Sequence, residues 1–286
     1  MISDVGEKLS VLIRRDFVNV NGPDAASYLQ GQLSQEVLGL GVGSSTWSLL
    51  LNPNGKVVAL VRLARIGPDA FVLESDEGTS DAVTERLKRF MLRTKVEIDG
   101  ASQVVLAVRG DVTTRDFTGA AHVIAVGWPL DAGVDVVNPT QEQRATAHGG
   151  VAEYDALRIS NGVPAHGNEL TDKTIPDETG WVSRSVCFTK GCYTGQELVA
   201  RIDSRGHVNK YLRLITGGGD VPELGADLLL PDHNASAISS SAPIDDGFVA
   251  LAYVQRKVTV PATAELVDGR SVHVQAIPEP PVDAGL

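Results

Sequence analysis

Asn52-Pro53-Asn54-Gly55 is the stretch that most narrows what this chain can fold into. Apolar runs close on it from both sides, WSLLL at 47–51 and VVALVRLARI at 57–66. Gly55 is free to take the positive φ of a tight reversal, so the two runs form a hairpin. Strands joined this way lie antiparallel, whereas a doubly wound sheet needs helical crossovers between parallel strands. The chain therefore reads as α+β.

The neighbouring segments extend that reading. SVLIRRDFVNV at 10–20 is strand-like, and the turn NGPD at 21–24 leads into a helix. Pro23 suits the first helical turn and Asp24 the positive end of the dipole. Ala25, Leu29, Leu33 and Val37, spaced by four, predict one apolar stripe on a helix running to about residue 40. AFVLES at 70–75 is another strand. A helix over 79–92 follows, with Ser80 as its cap and Val83, Leu87, Phe90 and Met91 inward.

A second pass of the same texture begins near residue 96. VEIDG, QVVLAVRG, AHVIAVGWP and GVDVVNP read as strands, TQEQRATAHGG as a helix, and VAEYDALRISNGV as a helix closing at Gly162. After residue 207 short strands alternate with Gly, Pro, Asp and Ser clusters, the pattern of a small antiparallel β-barrel or sandwich. Within it, 236–243 reads as a polar loop and PEPPVDAGL as a loose tail. The expected division is a region over 1–206, in two α+β subdomains near 1–95 and 96–206, followed by a barrel over 207–286.

Composition excludes several classes of function. The net charge of −11 argues against direct nucleic-acid binding, because phosphate neutralisation needs clustered cations. Arg184, Lys190, Arg201, Arg205 and Lys210 do crowd one stretch, as a solvated face or a local polyanion patch. No run approaches the ~20 apolar residues of a membrane span. The opening MISDVGEKLSVLIRRDF lacks a signal-peptide core, so the expected location is cytoplasmic. There is no GxGxxG after a strand and no Walker loop. The two cysteines, Cys187 and Cys192, fit neither CxxC nor zinc-knuckle spacing, and His166 has no ligand partner at metal spacing. No metal site is expected.

The chemistry concentrates in KGCYTGQE at 190–197. Gly191 and Gly195 let the backbone turn sharply around the cysteine. A thiol beside Lys190 and near a helix start at Gln196 would have its thiolate favoured. A free cysteine acting as a small buried hydrophobe is the alternative. Cys187, in SVCFT, is expected to be sheltered in an apolar strand.

This octet resembles the signature K-G-C-[YF]-x-G-Q-E of the YgfZ family, folate-dependent relatives of the glycine-cleavage T-protein. Four further stretches carry the resemblance along nearly the whole chain: Asn21–Ala26 with Leu29-Gln30-Gly31-Gln32, Leu51–Val57, Arg158-Ile159 with Gly162, Pro164, Gly167 and Glu169, and Ile175-Pro176-Asp177-Glu178. The resemblance implies three parts arranged around a central folate-binding opening, the last being the barrel. It implies tetrahydrofolate, or a derivative, as cofactor and iron–sulfur proteins as clients, tRNA-modifying enzymes among them. Cys192 would be the functional thiol. Arg158, Glu169, Glu178, Lys190, Tyr193, Gln196 and Glu197 are the candidate folate contacts. Arg158 suits either the carboxylate tail of a folate or an internal ion pair. Trp181 suits either pterin stacking or packing, and His207 is read as a surface histidine.

Two departures bear on activity. The related aminomethyltransferases carry an acidic pterin contact two residues after the arginine, where this chain has Ser160. The strand end Leu73-Glu74-Ser75-Asp76 also lacks their asparagine. Both argue against aminomethyl transfer.

Overall fold

The computed structural model describes residues 7–230 and 235–279. Residues 1–6, and the part of the proline-rich tail from 280 onward, lie outside the described residues. The hairpin forms as expected: β2 (Ser45–Leu51) turns through Gly55, at φ 81°, into β3 (Val57–Gly67). Around it runs a seven-stranded sheet in the order β2-β3-β4-β1-β5-β7-β6. β1 (Glu7–Asn21) is central, pairing antiparallel with β4 (Ala70–Asp76) on one side and β5 (Glu97–Gly110) on the other. β7 (Gly133–Val137) and β6 (His122–Ala125) complete the far edge. One sheet thus takes strands from both sides of residue 96.

The sheet coils until its two edges meet. Ser45 Oγ donates to the Ala125 carbonyl at 3.4 Å, Arg62 Nη1 to the same oxygen at 3.1 Å, and Trp47 Nε1 to the Val126 carbonyl at 3.0 Å. Side chains, rather than a backbone ladder, close the curve. On its convex face the sheet packs against α1 (Ala25–Gln32) and α2 (Ser80–Lys88), through a core that includes Leu29, Leu33, Val61, Leu73, Val83 and Leu87. On the concave side α4 (Val151–Ser160) enters, and Trp47, Tyr154, Trp181, Leu251 and Ile277 join sheet, central segment and barrel in one cluster. α3 (Gln141–Arg144) and α5 (Val182–Ser185) are single turns, and α6 (Gln196–Arg205) follows the octet. The barrel is closed: β8 (Lys210–Gly217), β9 (Asp227–Leu229), β10 (Ser236–Ile244), β11 (Gly247–Gln255), β12 (Ala262–Leu266) and β13 (Ser271–Ala276) pair in the order β10-β11-β8-β13-β12-β9.

The α+β class stands, and several local expectations are corrected. The first helix stops at Gln32, because Leu33 bridges Leu50 and Ser34 exchanges bonds with Leu49, so sheet pairing wins over helical periodicity. Leu33 and Val37 are buried all the same. VEIDG and QVVLAVRG fuse into β5, and TQEQRATAHGG keeps only the turn of α3. Ser80 is not a cap. The N–H groups of Thr79 and Ser80 both donate to the Asp16 carboxylate at 2.8 Å, an anion supplied by β1 to the positive helix end. The expected polar loop at 236–243 is β10, whose serines at 236 and 240 face inward with Ile238 and Ala242.

Candidate functional site

Five consecutive strands each send one charged side chain to the concave face: Arg62 from β3, Glu74 from β4, Arg15 from β1, Arg109 from β5 and Asp135 from β7. Glu74 bridges Arg62 and Arg15, and Asp135 bridges Arg62 and Arg109. All but Arg15 are buried, and charges are buried in proteins almost only when paired. Arg109 lies 4.3 Å over the Trp128 ring and 5.3 Å from that of Tyr154. Burial alone would raise the Asp135 carboxyl, but the Arg109 and Arg62 guanidiniums outweigh it and hold the group at about 2.

Beside this floor, sharing Arg15 alone with it, opens a cavity of about 680 Å³. Its walls mix Leu12, Ile13, Val104 and Val151 with Arg15, Asp76, Tyr154, Asp155 and Arg158. Arg158 is buried on α4 and fixed on several sides. Its Nη1 donates to the Val163 carbonyl at 2.7 Å, Nη2 to Ser240 Oγ at 3.2 Å and Nε to Asp155 at 3.1 Å, with Glu169 at 3.8 Å. Asp76 pairs with Arg15 and accepts the His166 N–H at 2.7 Å; against the effect of burial these hold its carboxyl below the usual range. Asp155 is 41% exposed, the most accessible partner of Arg158.

The octet forms a second cluster. Lys190 Nζ donates to the carbonyls of Gln30, Leu33 and Gln35 at 2.7, 2.7 and 2.9 Å, so its three N–H groups hold the chain leaving α1. Burial pushes this ammonium down to about 8. Thr194 N donates to the Gly31 carbonyl at 3.0 Å. Gly195, at φ 86°, lies against the hairpin so closely that a Cβ there would stand 2.5 Å from the Asn52 carbonyl oxygen. Three stretches remote in sequence, 29–32, 51–56 and 190–197, thereby meet at one place. Cys192 is exposed in this loop, four residues before α6 begins.

The sequence-derived residues therefore fall in different places. Arg158 lines the cavity. Glu169, fully buried, accepts from Ser239 Oγ and from Ala165 N at 2.9 Å, and Glu178 Oε2 accepts the Ile175 N–H at 3.3 Å. Lys190, Tyr193 and Gln196 shape the octet loop, Gln196 Oε1 accepting the Tyr193 N–H at 3.2 Å. Burial raises the Tyr193 phenol to about 12. Glu197 is exposed on the first turn of α6.

Lys190 is committed to carbonyl oxygens, so the expected assistance from its ammonium to Cys192 is not what this geometry provides. Cys187 is not in a strand: it follows α5 half-exposed, its Sγ 3.4 Å from Thr189 Oγ1, whose hydrogen bond holds the thiol below its ordinary value. Trp181 is wholly buried and donates to the Gly162 carbonyl at 2.7 Å, a packing role. The basic stretch disperses, since Arg184 stacks on Trp181 and Lys190 turns inward, while Arg201 and Arg205 stay exposed. His166 and His207 are exposed, and no cluster of metal-ligating side chains occurs among the described residues.

Arg15, Arg62, Arg109 and Asp135 escaped the sequence reading. Their signal was a charged residue at an inward position of an otherwise apolar strand, as in VVALVRLARI, VVLAVRG and GVDVV.

No family model matches the chain. Curated relatives do. The tRNA-modifying protein YgfZ of Vibrio vulnificus is 28% identical over 230 residues, covering 73% of this chain and 70% of its own. The YgfZ of Edwardsiella ictaluri is 28% identical over 244 residues, 74% of this chain and 72% of its own. A Neurospora crassa protein named iron-sulfur cluster assembly factor IBA57 homolog, mitochondrial, is 26% identical over 252 residues, 79% of this chain and 57% of its own. Among solved structures, the glycine cleavage system aminomethyltransferase T of Bartonella henselae superposes with a TM-score of 0.79 at 20% identity, over 94% of this chain and 86% of that one. That likeness shows the fold. The chain is thus similar in sequence to YgfZ proteins and in fold to the aminomethyltransferase T.

Proposed function

We propose that the protein binds tetrahydrofolate or a derivative in the cavity between β1 and α4, and that it serves iron–sulfur enzymes, tRNA-modifying ones among them, with Cys192 as its functional thiol. The relatives' names support the iron–sulfur and tRNA-modification service. The observation that carries the folate part is the cavity itself. At about 680 Å³ it lies within the ~300–1,000 Å³ typical of small-molecule sites. Leu12, Ile13 and Val104 offer apolar contact to a flat ring, Tyr154 an aromatic one. The Asp155 carboxylate suits the donor edge of a pterin, and Arg158, bonded to it at 3.1 Å, orients that carboxylate. A bound reduced folate supplies nitrogens that carry or accept a one-carbon unit.

The chain's own part is binding and orientation. Val163, Ser240 and Asp155 fix the Arg158 guanidinium before any ligand arrives, which limits the ordering cost of binding. The thiol loop shares no residue with the cavity lining, so Cys192 faces a partner from the outside while Lys190 holds the loop on α1. Ser160, where the aminomethyltransferases carry an acid, makes aminomethyl transfer from a loaded lipoyl carrier undetectable in this reading.

The test is complementation in cells lacking the native protein. A Cys192→Ala chain should fold with an unchanged unfolding midpoint, because an exposed thiol carries little packing energy. It should fail to restore iron–sulfur enzyme activity. Full rescue would remove Cys192 from the function.

A further inference from the structure

Both cysteines of the chain lie between α5 and α6, and three anchors hold that segment over one short stretch. Cys187 N donates to the Ser34 carbonyl at 3.0 Å, and Thr194 N to the Gly31 carbonyl at 3.0 Å. These two acceptors are three residues apart, so at most about 11 Å of chain separates them. Between the anchors Lys190 Nζ binds the Gln30, Leu33 and Gln35 carbonyls. Cys187 and Cys192 therefore flank a lysine pinned to residues 30–35. The chain from 186 to 195 is neither helix nor strand. It has room to tighten, since a Cβ built at Gly191 would meet no heavy atom within 4 Å.

The two thiols differ in their surroundings. Cys187 is half-exposed, with its Sγ 3.4 Å from Thr189 Oγ1. That hydroxyl and the N–H groups of Thr189 and Lys190 favour the thiolate, the form that attacks peroxides. Cys192 is exposed, and each sulfur has only the other as a thiol partner within the chain. A thiolate with a second thiol in the same loop is the arrangement that captures a sulfenic acid as a disulfide.

We propose that Cys187 is a hydroperoxide-reactive thiol and Cys192 its resolving partner, so that oxidation bridges the two and takes the Cys192 sulfur out of use. The Cys187 thiolate attacks one peroxide oxygen and the O–O bond breaks. Its sulfur keeps the hydroxyl, and the other oxygen leaves as hydroxide and becomes water with a solvent proton. The Cys192 sulfur then displaces that hydroxyl: the S–S bond forms, and the Cys192 proton leaves with the hydroxyl as a second water. Two electrons pass from the thiols to the peroxide, and a dithiol reductant returns them. The chemistry is independent of the role given to Cys192 above. Its consequence, a functional thiol withheld while oxidised, rests on that reading.

The experiment exposes the reduced full chain to hydrogen peroxide, blocks it with N-ethylmaleimide and digests it with trypsin without reduction. Cleavage after Lys190 separates the cysteines, so a bridge is read as SVCFTK joined to GCYTGQELVAR. The expected product is that linked pair within single chains on a non-reducing gel, reversed by dithiothreitol. Cys192→Ser should stop at a Cys187 sulfenic acid that dimedone traps. Adding Thr189→Val should slow its formation about two- to threefold, as loss of one hydrogen bond allows. Absence of the linked pair, with both cysteines taken by the maleimide, would overturn the proposal. So would bridges found only between two chains, or dimedone on Cys192 with Cys187 untouched. A linked pair in a protein whose Cys192→Ala variant fully rescues would keep the bridge and remove the function given to Cys192. No linked pair alongside failed rescue would remove the bridge alone.

Discussion

Cys187 is the thiol that the local backbone favours as an anion. Thr189 Oγ1 lies 3.4 Å from its sulfur, and the N–H groups of Thr189 and Lys190 add to that donor. Cys192 is exposed. Alkylation by iodoacetamide, followed by peptide mass mapping between pH 6 and 9, should show Cys187 reacting with a midpoint below the ordinary thiol range. Thr189→Val should move that midpoint up. A Cys187 profile unmoved by the substitution would contradict the assignment. At this scale the sequence was partly legible. KGCYTGQE marked the right loop, because its glycines and its lysine are rare together. It did not reveal what Lys190 touches, since the three carbonyls that take its N–H groups lie more than 150 residues away.

Among the elements, the joint between α4 and the end of the barrel is tightly constrained. Gly162 and Gly180, at φ 64° and 71°, both face Ile277, and a Cβ at either would stand 2.6 Å from an Ile277 carbon. Gly162→Ala and Gly180→Ala should each lower unfolding stability by roughly 1–3 kcal/mol through overpacking and a backbone that L-residues resist. Measured in urea, Gly162→Ala combined with Ile277→Ala should cost less than the two single effects added, because the smaller side chain removes the clash. Strict additivity would refute the contact. Hairpins were read correctly from turn chemistry, which is local. β10 was missed because its serines mimic a loop; Ser240 is drawn inward by Arg158, a partner 82 residues away. The first helix was drawn too long because nothing in its stripe announces that Leu33 pairs with Leu50.

For the whole molecule, the charged floor ties both halves of the sheet to each other. Breaking a buried ion network by removing one partner costs roughly 3–5 kcal/mol, so Arg62→Met should be strongly destabilised in urea. Asp135 gives the pH dependence. Its carboxyl is held at about 2 in the fold against 3.8 ordinarily, so the unfolded chain binds the proton first on acidification. Its contribution is complete above about pH 4 and is lost as pH falls toward 2. The stability gap between the native chain and Asp135→Asn should narrow over that window, and a gap constant from pH 6 to pH 2.5 would contradict the pairing. This floor was the least legible part of the chain. Each arginine looked like an isolated charge in an apolar strand; strand pairing sets Arg62 against Glu74, and the coiling of the sheet brings Arg62 to Asp135. The outline of sheet and barrel, by contrast, followed from turns and alternation.

The central claim is that the cavity between β1 and α4 is where a reduced folate binds. Hydrogen exchange of the full chain, with and without saturating tetrahydrofolate, tests it most directly. Binding should be in the micromolar range, about −8 kcal/mol. Protection should appear in residues 12–15 and over 151–158, where Val151, Tyr154, Asp155 and Arg158 line the cavity, and not in the thiol loop at 188–194. No protection with millimolar folate, or protection confined to the thiol loop, would contradict it.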